Sequence, residues 1–121
     1  MSFLNADHPA GIAYGDGYMQ GDGSRGQLVN IVGDDLFALN IDPKTRSLGL
    51  LMKDYTNGEM PGIYCGGGIY TTDVFTGPIV AGDELVAGVD SKLTARSAND
   101  QILVGEAISV SDGILKFKLY I

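Results

Sequence analysis

Short runs of apolar and β-branched residues, each fenced by Gly, Asp, Asn or Pro, recur along most of the chain. Few windows place apolar residues at i, i+3, i+4 and i+7, the spacing an amphipathic helix needs. The runs predict strands over 27–32, 36–41, 48–53, 62–70, 71–75, 84–89, 93–97, 102–110 and 114–121. The last alternates cleanly, with Leu115, Phe117, Leu119 and Ile121 on one face and Lys116, Lys118 and Tyr120 on the other. That period of two marks a half-buried strand. Gly66-Gly67-Gly68 interrupts an apolar stretch and marks a bulge, a corner or a close backbone approach. Many short strands divided by turn residues predict an all-β fold, a small β-barrel or β-sandwich.

Residues 1–25 follow no sustained period and read as an extended N-terminal arm preceding a domain over 26–121. Phe3, Leu4, Ile12, Tyr14, Tyr18 and Met19 make this segment too apolar for a solvating tail. It either docks on another chain or packs on its own domain. The domain also repeats weakly on itself, in halves 26–76 and 77–121. At a spacing of 57 residues, Leu28-Val29 matches Leu85-Val86, Val32 matches Val89, Leu36 matches Leu93 and Ala38 matches Ala95. One residue of slippage later, Gly49 matches Gly105, with Leu48 opposite Val104. Such a pattern predicts two related halves packed around a common core.

Composition narrows the function classes. The 121 residues hold 18 glycines, about twice the usual share, which disfavours long helices. Eight basic residues against fifteen acidic ones give a formal charge of −7, unsuited to a protein whose partner is the nucleic-acid backbone. A single cysteine provides no disulfide framework, and no apolar run is long enough to span a bilayer. The first residues lack the basic and apolar regions of a secretory signal.

Candidate chemistry is sparse. His8, the single histidine, reads as a surface or contact residue, and Cys65 as a small buried hydrophobe. The glycine-rich stretch 15–23 has neither the spacing nor the flanking elements of a phosphate loop. Asp34-Asp35 and Asp83-Glu84 fall at predicted turns, where aspartate bonds to its own backbone. The expectation is a protein without catalytic residues, cofactor or metal.

Gly77-Pro78-Ile79-Val80-Ala81-Gly82-Asp83-Glu84-Leu85-Val86, Ser91-Lys92-Leu93-Thr94, Leu103 to Ile108 and Leu115 to Leu119 follow one another in an order that resembles the small capsid cement, or head decoration, proteins of tailed bacteriophages. Gly26 to Val29 and Ser47 to Leu50 are similar to the first half of that pattern. The resemblance implies a viral structural protein made in the host cytoplasm. It would sit on the outer surface of the expanded head and stabilise contacts between major capsid proteins. Many such proteins act as trimers, others as monomers or dimers. The implied partners are therefore the major capsid protein and further copies of the chain, not nucleic acid or membrane. Phe3, Leu4, Ile12, Tyr14 and Tyr18 are the expected contacts with capsid or a neighbouring subunit, and Gly66, Gly67 and Gly68 a second set. The competing expectation is a β-rich adaptor of a phage tail or fibre, or a glycan-binding module lined by exposed tyrosines.

Overall fold

The computed structural model describes residues 2–14 and 17–121, with the backbone alone for 12–14. No helix occurs among the described residues, and the strands form two six-stranded sheets. Sheet A runs in the order β1 (Leu4–Pro9), β8 (Gly68–Thr72), β12 (Ile114–Leu119), β11 (Gly105–Ser111), β9 (Glu84–Ala87), β10 (Leu93–Ala95). Sheet B runs β2 (Ile12–Tyr14), β7 (Gly62–Tyr64), β6 (Gly49–Leu51), β4 (Leu28–Gly33), β5 (Leu36–Leu39), β3 (Tyr18–Met19). This is the expected all-β class. The predicted strand over 62–70 is in fact two, because the chain turns between sheets at Cys65–Gly67. The opening segment, which shows no period, provides β1, β2 and β3.

One continuous strand pair joins the sheets. Leu4 to Pro9 pairs antiparallel with Gly68 to Thr72 in sheet A, and Ile12 to Tyr14 pairs with Gly62 to Tyr64 in sheet B. Both members bend at the same level. Gly66, Gly67 and Gly68 take φ of 85°, 94° and 107°, the left-handed region that side chains rarely occupy. A Cβ on Gly68 would also meet the backbone of His8 and Ala10. The triple glycine is therefore the corner of the fold.

The two sheets share one backbone plan. Asn40 N–H donates to Leu28 O as Arg96 N–H does to Glu84 O, both at 2.8 Å. Leu48 N–H donates to Val29 O as Val104 N–H does to Leu85 O, both at 2.7 Å. Gly26 to Leu51 O is matched by Gly82 to Ala107 O, and Gln27 to Ser24 O by Asp83 to Val80 O. Each pair lies 56 residues apart. The parallel bridge of Met19 with Phe37 recurs at that spacing between Phe75 and Leu93. The spacing is one residue shorter than the 57 suggested by matching Leu28 with Leu85: the ladders set Val29, not Leu28, against Leu85. Gly49 and Gly105 hold equivalent places, each crossed by the carbonyl of the next strand, at Tyr64 and Lys118.

The matching halves bury different faces. Leu28, Leu50 and Tyr64 of sheet B point towards sheet A and share a core with Leu85, Ala107, Phe117 and Leu119. Tyr70 lies at its centre, its ring 5.3 Å from Tyr64 and 5.7 Å from Phe117. Val29, Leu51, Ile63 and Phe37 point the other way, into a smaller core closed by Met19, Leu39, Leu48 and Tyr55. Sheet B is thus apolar on both faces. Sheet A is not: Glu84, Glu106 and Lys118 stand on its outer face, where Leu28, Leu50 and Tyr64 stand in the other half.

One local conflict gives a test of this packing. Ser91, fully buried in the turn between β9 and β10, takes φ of 65°, and its hydroxyl finds no partner among the described residues. Its carbonyl accepts from Leu28 N–H across the core. Glycine at this position keeps that bond while removing both the left-handed penalty and the unpaired hydroxyl. Ser91→Gly is expected to stabilise the fold by about 1 kcal/mol in denaturant unfolding.

Candidate functional site

The residues expected to contact a partner do not converge on one patch. Phe3 is exposed and tied down, its N–H donating to Asp73 Oδ1 at 2.7 Å and its carbonyl accepting from Thr72 Oγ1 at 2.6 Å. Leu4 is turned inward and is 9% exposed, part of the core between the sheets. Tyr18 is 53% exposed at the edge of sheet B, its N–H bonded to Asp35 O. The backbones of Ile12 and Tyr14 pair with β7, and their side chains lie outside the described residues. Gly66 and Gly67 donate to the carbonyl of Ile121 at 2.7 and 3.1 Å, so the corner also holds the last strand. Removing residues 2–20 would take a strand from sheet A and buried Met19 from the smaller core.

The polar side chains are engaged in turns. Asp35 occupies a turn at φ of 52°, and Asp83 Oδ2 accepts from Val80 N–H at 2.9 Å. Asp42 bonds to Lys44 N–H and Thr45 Oγ1, which holds its carboxyl below the ordinary 3.8. Glu59 does the same with the backbone and hydroxyl of Thr56 and lies below 4.5. Asp7 bonds to Thr71 across β1 and β8. Tyr120 donates to Glu106 Oε1 at 2.6 Å, and that bond raises its pKa. Burial raises that of Tyr70.

These shifts set the expected pH profile. Carboxyls depressed in the fold contribute stability above their unfolded values, lost as pH falls through the folded ones; tyrosines raised in the fold lose theirs as pH climbs past 10.0. The melting temperature is expected to hold between pH 5 and 9 and to decline below about 4 and above about 10. Thermal scans across pH check this.

Among the described residues, no three His, Cys, Asp or Glu side chains come together as metal ligands would. His8 is exposed at the end of β1, beside Ile69. Cys65, expected to be buried, is only half-buried, because the chain turns out of sheet B there. It lines a hollow of about 400 Å³ with Ile31, Leu48, Gly66 and Ile121, and Arg46 stands at its rim. Sequence patterning does not mark this hollow, since its residues come from four separate segments. Only the comparison of the two halves brings it out.

No protein-family profile matches the chain, and no curated protein does. Among solved structures it is similar to the N base of the head fibre protein gp8.5 of bacteriophage phi29. That likeness covers 99% of this chain and 93% of the other, with a TM-score of 0.62 and 16% sequence identity. It is a likeness of fold over essentially the whole domain.

Proposed function

We propose that the chain is a structural component of a tailed-phage virion, seated on the outer surface of the expanded head. There it stabilises contacts between major capsid proteins. The observation that carries this reading is the fold shared, end to end, with the base of a phage head fibre. The outer face of sheet A, where Glu84 and Glu106 stand, suits a particle exterior that never meets packaged DNA. Phe3 and Tyr18, the exposed members of the opening segment, are proposed as contacts. The same likeness supports a second reading, in which the chain anchors a fibre or adaptor instead of cementing the lattice.

Co-sedimentation of the purified protein with expanded phage heads, with unexpanded heads as control, tests the proposal. Saturable binding to expanded heads alone, at copy numbers set by the capsid lattice, is the expected result. A few copies per particle would favour the fibre-base reading. Absence of binding to either form would overturn head attachment.

A further inference from the structure

The two halves solve the same packing problem differently. In sheet A the inward face of β9 and β11 is covered by the other half: Leu28 and Leu50 lie in one core with Ala87, Val104 and Leu119. In sheet B the equivalent positions are Ile31, Leu48 and Cys65. Ile31 and Ala87 each pair with the partner 56 residues removed from the other's, Phe37 and Leu93. Leu48 and Val104 make the equivalent bonds described above, and Cys65 follows Tyr64 as Leu119 follows Lys118. Yet Ile31 is 63% exposed where Ala87 is 2%, and Leu48 and Cys65 are half-buried where Val104 and Leu119 are buried. The link from β6 to β7, through Met52 to Pro61, covers the middle of this face with Tyr55 but leaves the end open.

We infer that this hollow is a docking site for an apolar side chain flanked by a carboxylate, presented by a protein of the phage head other than this chain. The inference rests on the head-attachment reading and names its contact surface. The covered half shows what fits such a face: aliphatic side chains carried on a neighbouring strand. Arg46 supplies the polar selection, being exposed at the rim with no ion-pair partner among the described residues. A guanidinium beside an apolar floor favours an acidic flank. A second copy stacking head-to-tail would instead present Glu84, Glu106 and Lys118, which cannot fill an apolar hollow without loss of hydration.

Ile31 and Arg46 are exposed, so Ile31→Asp and Arg46→Glu leave the fold intact, which a thermal scan verifies. Val89→Asp, on the exposed tip of the other hairpin, is the control. With expanded heads, both test variants are expected to bind at least tenfold more weakly, the control like wild type. Bound heads should also shield Cys65 from a maleimide. Unchanged binding by both variants, with Cys65 still reactive, overturns the hollow and leaves head attachment standing. Failure of the wild-type protein to bind overturns head attachment and, with it, this partner. Self-association abolished by Ile31→Asp would show the occupant to be a second copy and also overturn the inference.

Discussion

Gly49→Ala and Gly105→Ala are each expected to lower stability by about 3 kcal/mol, a fall in melting temperature of about 10 °C. The cause is steric and the same in both halves. A methyl on Gly49 would sit on the carbonyl oxygen of Tyr64, and one on Gly105 on that of Lys118. Neither obstruction is a flexible side chain that can swing aside; both are backbone already committed to the next strand. Relief requires separating β6 from β7, or β11 from β12, which breaks ladder bonds under a packed core. Gly33→Ala is the control, since the nearest side-chain atoms there lie 3.5 Å away, at ordinary contact distance. It should melt within about 2 °C of wild type. Equal tolerance of all three substitutions would mean that the close strand crossing at Gly49 and Gly105 is not maintained in solution.

Those two glycines also explain what could be read before the structure. The fold class was legible because period-two alternation, as over 114–119, and turn residues recur without competing helical spacing. The repeat was legible in outline but offset by one residue in β4 and β5. Both faces of sheet B are buried, so Leu28-Val29 is apolar at either register and cannot report which residue faces which core. Gly49 and Gly105 sit where only glycine fits, so their spacing of 56 was correct. The opening segment hid its strands because an edge strand carries a weaker pattern. Pro9 closes β1, a bulge lies between Ala6 and His8, and only Leu4 is fully turned inward. The hollow at Ile31 was illegible for a different reason. Exposure there depends on what the other half covers, and no local pattern encodes an uncovered end.

Phe117→Ala should cost about 4–5 kcal/mol and Ile63→Ala about 2–3 kcal/mol, although the two residues occupy matching places. Each pairs across its ladder with the matching residue of the preceding strand, Ala107 for Phe117 and Leu51 for Ile63. The difference comes from what surrounds them. Phe117 is fully buried between two sheets and stacks on Tyr70, so its removal leaves a large cavity walled by strands that cannot close. Ile63 is smaller and lies beneath the Met52–Pro61 link, which can settle inward by moving Tyr55. The two cores are nevertheless one cooperative unit, because adjacent residues of β4 serve both: Leu28 faces the larger and Val29 the smaller. Loosening either face disturbs the strand that carries the other. Both variants should therefore unfold in a single transition, with tyrosine fluorescence and far-ultraviolet circular dichroism coincident. An early separate transition in Ile63→Ala would show that the smaller core melts independently and that β4 does not couple the two.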